Sequence, residues 1–207
     1  MFILLLLFMA ALLLIHAQPY DDHTQHQLLF PEGCPVPCFM GIRPGITTVD
    51  EALDILRSSG WTADIQTQPN SNWMIVQWNN QAPSWLLTHN LGNNLAIVMH
   101  DSRVEEIHLP TTLQLTDVEL LMGKPESREV TIFRGMGESQ FIPELNYTAA
   151  YPDRSMLIVI SETCNGATGV SRNSPNAVLR YYADMSKLAD LLKQFHYSWR
   201  DVLRTHC

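Results

Sequence analysis

The stretch GIRPGITTVDEA, residues 41–52, decides the fold of this chain. Two glycines and a proline predict a turn, and Thr47 and Thr48 then supply oxygens that cap a helix N-terminus. Glu51 follows Thr48 by three residues, the spacing of a capping box. Apolar residues recur at helical spacing up to Leu56, and Gly60 ends the predicted helix.

Beyond Trp61 the apolar pattern changes from the helical period to a period of two, which is typical of strands. Short polar turns separate the apolar runs, so the strands are predicted to pair antiparallel, since a parallel crossover needs a longer connection. The predicted strands of this first part are Trp73–Trp78, Trp85–His89, Leu95–His100 and Val104–Leu109.

The same order returns further along the chain. Thr116 and Asp117 stand before a second predicted helix that ends at Gly123. The strands predicted after it are 129–134, 139–142, 147–151, 156–161 and 178–182, and a C-terminal helix is predicted over Asp184–Phe195.

The predicted fold class is therefore α+β: an antiparallel sheet with helices on one face, built from two pseudo-repeated helix-plus-meander units and a C-terminal helix. The first unit covers residues 34–109. The second covers 110–207 and includes the C-terminal helix, and the two units form one continuous domain.

The N-terminus carries an unbroken apolar run over residues 2–15. A membrane-spanning helix needs about 20 apolar residues, whereas the core of a signal peptide needs about 7–15. Residues 1–17 are accordingly predicted to be a signal peptide, with an uncleaved N-terminal anchor and a buried helix as alternatives. Residues 18–33 are predicted to be a polar linker. The predicted location is extracytoplasmic, secreted or in the cell envelope.

Four cysteines, an even number in a chain predicted to be exported, indicate disulfides. Sequence alone permits three pairings. The short spacing of Cys34 and Cys38 favours local closure, which would leave Cys164 to pair with Cys207. A zinc site needs closely spaced ligand pairs, and Cys164 and Cys207 are isolated, so no metal is predicted.

Residues 41–52 resemble the opening of outer-membrane assembly modules of the BamE/SmpA type and of β-lactamase-inhibitor-protein-like (BLIP-like) modules. The second helix ending, Leu121-Met122-Gly123-Lys124-Pro125, is similar to theirs. The chain also resembles small exported bacterial proteins of unknown function that share this opening after a Cys-x-x-Pro-Cys motif. The resemblance implies helices on one sheet face, a second face free to meet a partner, and no catalytic residues.

Charge and motifs exclude several functions. Asp and Glu outnumber Lys and Arg by 21 to 13, so no basic surface is predicted that would neutralise nucleic-acid phosphates. The sequence has no Gly-x-Ser-x-Gly, His-Glu-x-x-His or phosphate-loop motif, and it predicts no catalytic residue and no cofactor. Glu105 and Glu106 are adjacent in a predicted strand and should point to opposite faces, which disfavours a paired-carboxylate site.

The tryptophans carry the functional prediction. Trp73 and Trp78 are five residues apart on one predicted strand, so they must point to opposite faces, and at least one must leave the helix-covered face. Exposed aromatic residues are typical anchors of partner and sugar surfaces. Trp73, Trp78 and Trp85 are therefore the candidate binding residues. The competing interpretation is that the C-terminal helix covers the second face and all three are core.

The predicted function is a non-catalytic extracytoplasmic binding or interaction module. Its predicted partner is a protein or an envelope component, and membrane contact is expected only through the N-terminal segment if it is uncleaved. The alternative is an unrecognised envelope hydrolase or metal-dependent enzyme that uses the strand-end histidines His89, His100 and His108.

Overall fold

The computed structural model describes residues 8–9, 13, 23–67, 71–87, 94–136, 141–163 and 177–185, and leaves the side chains of residues 23–24, 131–145 and 162–163 undescribed. Within these ranges the helices are α1 (His23–Leu29), α2 (Val49–Ser58) and α3 (Leu115–Met122). The strands are β1 (Thr62–Thr67), β2 (Trp73–Trp78), β3 (Asn94–His100), β4 (Arg103–Pro110), β5 (Ser127–Met136), β6 (Phe141–Tyr151), β7 (Met156–Thr163) and β8 (Val178–Tyr182).

The described strands form one eight-stranded sheet in the order β1-β2-β3-β4-β8-β7-β6-β5, and every neighbouring pair is antiparallel. Along the chain, α2 is followed by β1 to β4 and α3 by β5 to β8. The pairing of β4 with β8 joins these two sets at the centre of the sheet. The predicted α+β class with an antiparallel sheet is confirmed.

The helices pack on one face of this sheet. Leu29 of α1, Leu56 of α2 and Val118 of α3 are fully buried in a single apolar cluster. Alternate residues along each central strand enter the same cluster, as the period of two requires. Those at the centre of the sheet are Met74, Val76, Leu95, Ile97, Ile107, Leu109, Leu179 and Tyr181.

Helix α2 begins where the sequence predicts. The Thr48 hydroxyl accepts a hydrogen bond from the Glu51 N–H, and the Glu51 carboxylate accepts one from the Thr48 N–H at 2.8 Å, which completes the capping box. The helix ends at Ser58, and Gly60 follows with a left-handed φ of +74°.

Several predicted elements differ from the structure. Trp85–His89 is not a strand: Ser84–Leu86 form a 3₁₀ turn, and residues 88–93 lie outside the described ranges. The apolar residues Trp85, Leu86 and Leu87 are consecutive rather than alternating, so this pattern does not distinguish a strand from a helical turn. Strand β1 was not predicted, because this edge strand is largely exposed and lacks apolar alternation. Residues 141–142 and 147–151, predicted as parts of two strands, belong to one long strand, β6, and residues 139–140 lie outside the described ranges.

The predicted linker also needs correction. Residues 23–29, placed in it because most are polar, form α1, and Leu29 at its end is fully buried in the core. Of the predicted signal segment 1–17, the structure describes residues 8, 9 and 13 alone. None of the helices in the described ranges has both the length and the apolar character needed to cross a bilayer. Beyond Met185, the predicted C-terminal helix lies outside the described residues.

The cysteine prediction is confirmed in part. Cys34 and Cys38 form a disulfide, with their Cα atoms 6.1 Å apart. The buried Cys38 joins this loop to the body of the protein, next to the core residue Phe39. Cys164 and Cys207 lie outside the described residues.

Candidate functional site: the sheet face around Trp73

The structure separates the three candidate tryptophans. Trp73 at the start of β2 is 39% exposed, whereas Trp78 and Trp85 are only 5% and 7% exposed and lie in the core cluster. The prediction that Trp73 and Trp78 point to opposite faces is confirmed. Burial removes Trp78 and Trp85 from the candidate surface, and Trp73 remains.

Strand register identifies the neighbours of Trp73 on the face opposite the helices. Trp73 stands opposite Val98, Val98 opposite Glu106, and Glu106 opposite Tyr182. In the next row on the same face, Ile75 stands opposite Ala96, Ala96 opposite His108, and His108 opposite Arg180. We call the surface formed by these two rows the Trp73 face; its residues are Trp73, Ile75, Ala96, Val98, Glu106, His108, Arg180 and Tyr182.

Trp73 and His108 make an aromatic contact across an intervening strand. Their ring centroids lie 5.3 Å apart and the ring planes are nearly perpendicular, at 81°. The strand between them, β3, carries only Ala96 and Val98 at this point of the face. Because both are small, the two larger rings reach each other above β3. Trp73 is thereby held in place while part of its indole remains exposed.

A β-bulge in β4 brings two carboxylates to this face. Val104 and Ile107 are both fully buried in the core although they are three residues apart, a spacing that places residues of a regular strand on opposite faces. The register shift shows how: Glu106 pairs with Val98 and Val104 with the next residue, Met99, so Glu105 is the extra residue of the bulge. The prediction that these two glutamates point to opposite faces is therefore wrong, because it assumed an unbroken strand.

The polar groups of the Trp73 face form two neighbouring pairs. His108 Nε2 lies 2.8 Å from a Glu106 carboxylate oxygen, and both side chains are half-buried. On β8, burial raises the pKa of Tyr182, and the Arg180 guanidinium opposes that rise through its charge and through a hydrogen bond to the phenol. The Glu106 carboxylate raises the pKa of Tyr182 further, so the two pairs influence each other.

The same sheet face is covered at the other end of the sheet. Ala150 on β6 and Leu157 on β7 are each 2% exposed, and with Tyr182 they form a small apolar cluster against which Met185 packs. The open part of this face thus lies over β1 to β4, with Arg180 and Tyr182 at its border. The burial of Ala150 and Leu157 disagrees with a free second face over β6 and β7, and around Trp73 a free face stays a prediction.

The structure does not bring His100 and His108, two of the predicted strand-end histidines, together. His108 is paired with Ala96, four residues before His100 on β3, which places His100 and His108 about 13 Å apart along the strand direction. Two ligands of one metal ion must both lie within about 2 Å of it. The described residues contain no group of three or more His, Cys, Asp or Glu side chains placed to hold a metal ion, and His89 lies outside them.

Sequence reasoning missed two members of this site, Arg180 and Tyr182. The strand that carries them was predicted, but its partner was not, because β4 and β8 are about 70 residues apart in the chain. The sequence predicts His108 at a strand end, yet its contact with Trp73 depends on the β2-β3-β4 register.

Comparison of the chain with protein-family models, with curated proteins and with solved structures gives no match.

Proposed function

We propose that this protein is a non-catalytic extracytoplasmic binding module that contacts a protein or an envelope component through the Trp73 face. The observation that carries the proposal is the exposure of Trp73, 39%, on a strand whose other large aromatic residue is core. Leaving an indole partly in water forgoes hydrophobic stabilisation, and large exposed aromatic residues are enriched at contact surfaces.

The surroundings of Trp73 support the same function. An anchor is effective when it is already held in its bound position, because less side-chain freedom is then lost on binding. The perpendicular contact with His108 provides such support, and the 2.8 Å contact of His108 with Glu106 fixes the imidazole in turn. Arg180, a residue type that is frequent in binding surfaces, stands beside them, and the buried Tyr182 marks the border of the face.

The extracytoplasmic location is part of the proposal and rests on the apolar run 2–15 and on the Cys34–Cys38 disulfide. Disulfides persist in oxidising compartments and are rare in the cytosol. The resemblance to BamE/SmpA-type and BLIP-like modules belongs to the same proposal, because it implies a sheet face that meets a partner.

The test is affinity capture from the cell envelope with three forms of the protein: wild type, Trp73→Ala and Leu120→Ala. Leu120 on α3 is 75% exposed and lies on an element packed against the other face of the sheet, so it is a matched control for loss of an exposed apolar side chain. We expect a component captured by the wild type and by Leu120→Ala to be lost with Trp73→Ala. Equal capture by all three forms would contradict the proposal.

A further inference from the structure

We infer that the Trp73 face binds a neutral polysaccharide, with a sugar ring lying on the exposed part of the Trp73 indole. This inference rests on the proposed function and names the class of its ligand. Three properties of its described residues lead to it: they carry charges of both signs, amide side chains extend from them, and Trp73 is exposed among apolar residues that are half-buried.

The mixed charge of the face favours a neutral ligand. The Glu106 carboxylate lies 2.8 Å from His108 Nε2, and Arg180 stands opposite His108 on the neighbouring strand β8. A ligand with charge of one sign would be attracted by one of Glu106 and Arg180 and repelled by the other. A hydroxyl group needs no counter-charge, since it both donates and accepts hydrogen bonds, and it can donate to the carboxylate or accept from the guanidinium.

Amide side chains continue this surface away from Trp73. Gln77 and Asn94 stand opposite each other on β2 and β3, and both are half-buried on the face that carries Trp73. Each amide offers donors and acceptors at once, as a polyhydroxylated ligand requires. Gln77 is four residues from Trp73, about 13 Å along an extended strand, so the polar strip suits an extended oligomer better than a single sugar.

The scarcity of exposed apolar side chains disfavours a protein partner here. A stable protein interface buries about 800 Å² on each partner and has an apolar, fully buried centre. Among the described residues, Trp73 is the large apolar side chain of this face that is exposed, and Ile75, Ala96 and Val98 beside it are half-buried. A partly exposed indole with amide and charged groups around it matches the two-sided character of a sugar, which presents C–H groups to an aromatic ring and hydroxyls around it.

The experiment measures binding of purified protein to a panel of neutral polysaccharides: cellulose, chitin, xylan, amylose and a β-1,3-glucan. The forms compared are wild type, Trp73→Ala, Trp73→Phe and Leu120→Ala, each first shown to be folded by a cooperative denaturant transition. We expect the wild type to bind at least one polysaccharide and Trp73→Ala to bind it at least tenfold more weakly. Trp73→Phe should retain most of the affinity, and Leu120→Ala should match the wild type.

Salt provides a second measure, because screening weakens contacts between exposed charges and leaves aromatic and hydroxyl contacts nearly unchanged. We expect the polysaccharide affinity to change less than twofold between about 0.05 and about 0.5 M salt, a range over which the screening of exposed charges increases strongly. Failure of the wild type to bind any member of the panel would overturn the inference. If envelope capture still depends on Trp73 in that case, the proposed function is supported with a protein as the partner. If neither polysaccharide binding nor Trp73-dependent capture is observed, the Trp73 face is not a binding surface.

Discussion

The loop at Gly45 is the place where a single methyl group should test the packing of this fold. Gly45 has a φ of +79°, and a Cβ added there would lie 3.1 Å from the Cβ of Ala183, the residue that follows β8. Backbone hydrogen bonds hold both residues in place: the Gly45 N–H donates to the Val104 carbonyl at 2.7 Å, and the Ala183 N–H donates to the Glu105 carbonyl at 3.0 Å. Gly45→Ala therefore combines a left-handed backbone with a close contact.

Gly60→Ala is the matched control, because Gly60 has nearly the same φ, +74°, and nothing within 4 Å of its added Cβ. The left-handed conformation costs an alanine about 1–2 kcal/mol, and the loss of freedom in the unfolded chain offsets about 0.4–1 kcal/mol of it. Both variants share these contributions. The contact at Gly45 adds the cost of overpacking, about 1–3 kcal/mol.

Urea denaturation of the wild type and both variants measures the difference. We expect Gly60→Ala to lower the free energy of unfolding by about 1 kcal/mol, and Gly45→Ala by about 1–3 kcal/mol more than that. Equal destabilisation by the two variants would refute the close packing of the 41–48 loop against the end of β8.

Four further predictions concern single side chains. Thr48→Ala should lower the free energy of unfolding by about 1 kcal/mol, and an unchanged denaturant midpoint would contradict the capping role. Hydrogen bonds from Thr48 lower the pKa of Glu51, so stability should decline as the pH falls through that lowered value, and Glu51→Gln should lack this part of the acid dependence; identical pH profiles would contradict it. Burial raises the pKa of Tyr151 to about 12. The unfolded chain releases this proton at a lower pH than the folded protein does, so stability should fall as the pH rises from about 10 to about 12. Tyr151→Phe should lose less stability over this range than the wild type, and an equal loss would contradict the assignment. Trp78→Ala should cost about 3–5 kcal/mol and Trp73→Ala clearly less, and the reverse order in denaturant titrations would contradict their placement.

Local signals in the sequence were sufficient for the elements whose formation is local. The capping box at Thr48 and Glu51 places the start of α2, and short runs rich in apolar and aromatic residues between polar turns place β2 and β8. Polarity was misleading for α1, whose mostly polar residues precede the buried Leu29, and for the exposed edge strand β1. In both cases tertiary contacts, and not an apolar pattern, decide the structure.

The candidate site was less accessible to sequence reasoning than the fold. Alternation alone established that Trp73 and Trp78 face opposite ways, but it could not decide which of them is buried. The site also depends on two non-local features. The bulge at Glu105 changes which way the following residues of β4 point, and the pairing of β4 with β8 brings Arg180 beside His108. Neither the bulge nor the pairing of β4 with β8 can be predicted from the local sequence pattern.

The measurement that tests the central claim most directly is photo-crosslinking from position 73 in intact cells. A photoreactive phenylalanine analogue replaces Trp73 in one form of the protein and Leu120 in another, so an aromatic group is kept at the proposed anchor while the control probe lies on α3. Our account predicts a crosslinked product of increased mass from position 73 and none from position 120. Crosslinking from position 120 alone, or from neither position, would contradict a binding role for the Trp73 face.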